Sequence, residues 1–332
     1  MFTFRSKIQY IIVYVFRFLA TYSVNGAEYF MNKRIKLSAR GLSACIWGVL
    51  ALTLIGIALR TVNMFLFFDY DINYYSAGAA LPTVSGIFFL LVAAFITVVC
   101  AGSQELPFAD DLSSRSISVK LASVLCTVAF ILAASELLGS VTLIPNAVLM
   151  TALYISAIYF IFNLSRSPSV AQALMSVAVI ISLSSLIAIT YFDVYTQMNS
   201  PLKVHFHLAM LASMLFITAE ARSMIGMMKK RFYLFSLSLA VLFTGIDSVP
   251  NVAAIFADKL EYDIIPFYYI CDTVTFFLFV YFVCRLISLD ASIRKAPTTL
   301  DENADPQENS DTAATESTPV DDEDSQDSAE EL

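Results

Sequence analysis

The hydropathy of the chain rises and falls in long blocks. Apolar runs near the roughly 20 residues that a helix needs to cross about 30 Å of hydrocarbon recur at residues 42–67, 81–102, 119–140, 145–164, 169–191, 203–224, 232–256 and 264–288. The fourth and fifth are the least separable, joined only by Ser165 to Pro168. The pattern predicts an all-α fold: a polytopic helical membrane bundle of about eight transmembrane helices. It divides the chain into a basic N-terminal cytoplasmic segment (1–40), the transmembrane domain (41–290) and an acidic cytoplasmic tail (291–332).

Composition agrees with lipid as the solvent. Hydrophobic residues make up 58% and charged residues 14% of the 332, where soluble domains average about 25% charged. The formal charge of −8 belongs to the tail, because 13 of the 28 acidic residues lie between Asp301 and Glu331, where there is no Lys or Arg. The remainder is basic by about five charges, and basic residues orient membrane proteins. With the N-terminus inside, 17 of the 20 Lys and Arg residues fall on cytoplasmic segments, leaving Arg60, Lys203 and Lys259 on or near the other side. That split predicts both termini in the cytoplasm, across a plasma membrane of bacterial type. Tyr70, Tyr74, Tyr75, Tyr191, Tyr195, Tyr262, Tyr268 and Tyr269 gather at the expected outer ends, where a ring can be buried while its hydroxyl stays wet.

Both ends of the chain read as cytoplasmic. Residues Ile8 to Tyr22 are apolar but interrupted by Arg17, which suits a helix lying in the interface better than a span. Met31, just ahead of the basic cluster, is an alternative start. From Ala296 onward the chain is Asp, Glu, Ser, Thr, Pro and Ala with almost no large apolar side chain, a composition that cannot offset its ordering entropy and predicts disorder.

An internal repeat is suggested by three short resemblances. The first and fifth spans leave through aromatic-aromatic-Asp (Phe67, Phe68, Asp69; Tyr191, Phe192, Asp193). Glu136 precedes Pro145-Asn146 as Asp247 precedes Pro250-Asn251, and the fourth and eighth spans close on Arg166 and Arg285. Helices four spans apart point the same way, so this is a parallel four-plus-four arrangement.

Charged groups inside hydrocarbon cost about 2.5–3.5 kcal/mol each even on the lenient insertion scale, so each needs a reason. Arg60, Glu136, Asp247 and Asp272 all fall toward the outer half of their spans, Asp272 roughly 12 Å into the eighth. Thr244, Asp247 and Asn251 share one helix face, as do Tyr268, Asp272 and Thr275. One Arg against three acids leaves an excess of negative charge or requires protonated carboxyls. Arg60, Glu136, Asp247, Asn251 and Asp272 are therefore the candidate binding residues for a cation, a proton or a small polar solute. The competing expectation is a network that only glues the bundle.

Other chemistry is weakly signalled. His205 and His207, two apart, diverge by about 200° on a helix and do not easily share a metal. The cysteines Cys45, Cys100, Cys126, Cys271 and Cys284 read as small apolar residues. Glu220 reads as an interface pair with Arg222. No nucleotide, HExxH or nucleophile-elbow motif is present. The leading expectation is a transporter-like protein that binds a solute or cation in the lipid bilayer, without a cofactor, a metal site or nucleic acid. The alternatives are a sensor or scaffold whose tail meets a cytoplasmic protein partner and, last, an integral-membrane hydrolase.

Overall fold

The computed structural model describes residues 39–76, 78–102, 116–140, 144–164, 170–193, 197, 199–260 and 267–295. The interfacial helix expected before residue 39 and the disordered tail expected after 295 lie outside the described residues. Within them the chain forms α1 (Ala39–Phe67), a hairpin of β1 (Phe68–Asp69) and β2 (Tyr74–Tyr75), α2 (Ala80–Gly102) and α3 (Ile117–Glu136). A 3₁₀ turn (Leu137–Ser140), α4 (Ile144–Phe162), α5 (Val170–Phe192), α6 (Pro201–Met224), α7 (Lys230–Phe256) and α8 (Phe267–Lys295) follow. Seven of these helices, all but α4, are long and apolar enough to cross a bilayer. The chain is thus a multi-pass membrane protein, and large apolar side chains such as Leu66, Leu90, Leu174 and Leu211 sit on its outer surface, as lipid contact requires.

Local chemistry sets the helix ends. Ser200 and Pro201 open α6, with the Pro where a missing N–H costs nothing. The same helix stops at Gly226, whose φ of 74° is left-handed. There Gly226 N–H donates to the Ser223 carbonyl and Met227 N–H to the Arg222 carbonyl, which is the Schellman arrangement. At the end of α1 a different stop operates. Asp71 N–H donates to Asp69 Oδ1 at 3.0 Å, Asn73 takes a φ of 52°, and the chain reverses so that Phe68 pairs with Tyr75 and Asp69 with Tyr74.

The helices α3 to α8 pack each against the next, and α8 closes back on α3, making a ring of six. Outside the ring, α1 lies along α7 and touches α8, and α2 packs on α1 and α7. This makes α7 central: 72% of its spanning window is buried, against 33% for α1 and 28% for α2. The packing of the two halves differs. Helix α6 runs along α7, whereas its counterpart under a four-plus-four repeat, α2, makes no comparable contact with α3.

Helix α7 also approaches its neighbours closely. A Cβ placed on Gly245 would lie 2.7 Å from the Phe279 ring of α8 and 3.2 Å from Ile57 of α1. Glycine here lets three helices come together beside the charged residues, as small residues do between membrane helices. Five residues further on, Pro250 has no N–H for the carbonyl of Ile246, so the helix ladder is interrupted beside Asp247.

Candidate functional site

Four of the five candidate residues meet on three helices. Arg60 comes from α1, Asp247 and Asn251 from one face of α7, and Asp272 from α8. Their exposures are 1%, 0%, 3% and 4% respectively, so the cluster is sealed. Arg60 Nη2 is 3.5 Å from Asp247 Oδ1 and 3.5 Å from Asn251 Oδ1. Asn251 Nδ2 then donates to Asp272 Oδ1 at 2.9 Å. The fifth candidate, Glu136, is exposed at the last residue of α3, and no contact joins it to the other four.

The cluster is loosely made. The Arg60–Asp247 contact is an ion-pair distance rather than a hydrogen bond, and both carboxylate oxygens of Asp247 lack a hydrogen-bond partner. So do Arg60 Nε and Nη1. One turn along α1, Asn63 donates from Nδ2 to Ser85 Oγ at 2.7 Å while its Oδ1 has no partner. The neighbouring hydroxyls do not help, because Thr244 and Thr275 donate to carbonyls of their own helices, Ala240 and Cys271. Buried ions recover their desolvation cost of several kcal/mol only when hydrogen bonds complete the pairing. Here they do not.

The hairpin sits one turn further out. Met64 is four residues beyond Arg60, Ala254 is three beyond Asn251, and both join Phe68, Leu202 and Leu260 in a small apolar cluster against which Tyr70 and Tyr75 pack. Phe68 meets Tyr70 and Tyr75 edge-on, with centroids 4.9 and 5.5 Å apart. Tyr70 Oη donates to the Met64 carbonyl at 3.0 Å, Ser200 Oγ to the Asn73 carbonyl at 2.9 Å, and Lys259 Nζ to the Phe65 carbonyl at 3.3 Å. Burial pushes both phenols above the usual tyrosine range. For Tyr70 the neighbouring Tyr75 adds to the rise, whereas for Tyr75 the positive charge of Arg60 opposes it.

A second buried polar cluster lies at the opposite end of the bundle. Glu220 of α6, fully buried, accepts from Tyr159 Oη of α4 at 2.7 Å, from Tyr281 Oη of α8 at 2.8 Å and from Arg285 Nε at 2.8 Å, and it pairs with Arg285 Nη2 as well. Asn163 Nδ2 donates to Tyr281 Oη at 3.1 Å, and Gln172 of α5 donates to Asn163 Oδ1. The expected Glu220–Arg222 pair is corrected to Glu220–Arg285, because α8 runs on to Lys295 and carries Arg285 inside the bundle rather than at its cytoplasmic end. The spacing of Tyr159 with Asn163, and of Tyr281 with Arg285, four residues apart on apolar helices, is the signal in the sequence that marks this cluster.

Other polar residues pair locally. Lys203, expected near the outer surface, is buried, with Nζ donating to the Asp193 carbonyl at 2.7 Å and lying 3.6 Å from Asp193 Oδ2. His207 Nε2 and Thr190 Oγ1 are 3.0 Å apart, while the His205 ring meets Phe89 edge-on at 5.7 Å. The two histidines therefore face different neighbours. Comparison with known protein families, characterised proteins and solved structures finds no match to this chain.

Proposed function

We propose that this membrane protein is transporter-like and binds a small polar solute or cation at the Arg60–Asp247–Asn251–Asp272 cluster. One observation carries the reading. A guanidinium and two carboxyl groups are sealed among apolar helices, and hydrogen-bonding atoms of Arg60 and Asp247 are left without partners. A structural glue would complete its own hydrogen bonds; a site for something mobile holds them for its ligand.

The topology fits the proposal when α4 is counted as the eighth crossing. Its 19 residues extend about 28 Å, and its end carries Tyr159 into the Glu220 cluster, so it takes the chain from the end of α3 to the start of α5. The charge split then puts the N-terminus and α8's end in the cytoplasm and the hairpin outside. The proposed site thus lies one turn beneath an outward-facing lid.

The test is a thermal-shift and equilibrium-binding screen of the purified protein with alkali cations, small amines and small polar solutes, repeated on Asp247→Asn. A stabilisation that the variant loses is the expected result. No response to any class of solute would sink the proposal and leave a sensor or scaffold as the better reading.

A further inference from the structure

Resting on that proposed site, we infer that its ligand is a small zwitterion, bound with its carboxylate on Arg60 and its ammonium on Asp247. The unpartnered atoms are of two opposite kinds. Arg60 Nε and Nη1 are donors only and need an acceptor, while Asp247 Oδ1 and Oδ2, with Asn63 Oδ1 one turn from Arg60, are acceptors and need donors. A bare metal cation or proton satisfies the carboxylate but leaves the guanidinium donors empty. A simple anion does the reverse.

A solute with a carboxylate at one end and an ammonium at the other satisfies both sets. Because Arg60 and Asp247 stand only 3.5 Å apart, the two ends must be close, as they are across one or two carbons. A guanidinium is also the side chain best shaped to hold a carboxylate through more than one N–H. The alternate acid, Asp272, is already engaged by Asn251 Nδ2. Its charge is not matched by a neutral zwitterion, so a proton or small cation balances it when the solute is bound.

Size is limited as well. Arg60, Asn63 and Asp247 are each at most 1% exposed, and the surroundings on the lid side are Met64, Phe68 and Leu260. These leave little room for a polar or charged substituent. The class that fits is a short ω- or α-amino acid with a small side chain.

The experiment compares a whole ligand with its halves on the full-length wild-type protein in detergent, so that no variant has to fold. Glycine and β-alanine are titrated against acetate, methylammonium and sodium, each at matched ionic strength, and the melting temperature is read. The expected result is a rise of about 5 °C for a zwitterion at a hundredfold excess over its Kd, more than acetate and methylammonium give together. A second reading uses Arg60→Lys, which keeps the charge but loses the planar donors, and is expected to weaken the zwitterion at least tenfold while sparing methylammonium. If methylammonium or sodium stabilises as well as the zwitterion, the zwitterion is wrong and the cation site stands. If none of the five solutes shifts the melting temperature, ordered water alone completes the cluster and the zwitterion assignment falls; the binding site itself falls only if the wider screen is silent too.

Discussion

The two buried charge clusters are built from the same parts to different standards. At the Glu220 end, a carboxylate is met by two phenols and a guanidinium, and the hydrogen bonds continue through Asn163 to Gln172 on α5. At the hairpin end, Arg60 and Asp247 face each other at 3.5 Å with their remaining hydrogen-bonding atoms unmet. The first joins α4, α5, α6 and α8 into one unit; the second bridges α1 to the ring through α7 and α8. A completed network rigidifies, whereas unpaired polar groups in a low-dielectric interior are costly.

The sharpest way to break this comparison is to remove each carboxylate in turn. Glu220→Ala strands a buried Arg285 and two phenols and is expected to cost about 3–5 kcal/mol, read as loss of resistance to heat or detergent unfolding. Asp247→Asn removes a charge that no hydrogen bond holds, and is expected to change stability by about 1 kcal/mol or less in either direction. Equal costs would mean that the two clusters are the same kind of structure.

Next in size is the close approach of α7. Gly245→Ala puts a methyl 2.7 Å from the Phe279 ring and is expected to cost about 1–3 kcal/mol through overpacking. Hydrogen exchange should rise around Arg60 and Asp247 while the Glu220 end stays protected. Uniform loosening of both ends would contradict the division into two units.

Smaller effects are expected at the hairpin. Ser200→Ala removes one hydrogen bond to the Asn73 carbonyl, worth about 0.5–1 kcal/mol, and should speed hydrogen exchange in residues 70–76 without altering overall unfolding. The weakest effect is set by pH. The phenols of Tyr70 and Tyr75 are raised by burial in the folded hairpin, so their contribution to its stability is complete below the ordinary tyrosine pKa near 10. It is lost as pH rises through the folded values. Phenolate absorbance that appears together with fast exchange in the hairpin, only above that pH, is the expected signature.

Much of this architecture is legible in the chain because the bilayer imposes a length and a polarity on every span. The same reasoning picks out Arg60, Asp247, Asn251 and Asp272, since ionisable residues at spanning depth stand out and their i, i+4 companions fix a face. Glu136 illustrates the limit: a span read as 119–140 sets it at a depth like theirs, whereas α3 ends at Glu136 itself and leaves it exposed. Arg285 was hidden for a related reason. Ending the eighth span at 288 makes Arg285 its cytoplasmic close, whereas α8 continues to Lys295 and keeps Arg285 inside the bundle. The hairpin was also invisible to hydropathy, because Phe68 and Tyr75 look like headgroup anchors until the Asp69, Asp71 and Asn73 turn is seen to fold them back.

The continuity of α1 with the hairpin has a mechanical consequence. Arg60 and Phe68 are two turns apart on one uninterrupted stretch of chain, and α1 lies outside the closed ring. An axial or tilting displacement of α1 that drew the hairpin away from Leu202 and Leu260 would therefore also draw the guanidinium away from Asp247. Under the proposed function, uncovering the site and separating Arg60 from Asp247 would be one movement.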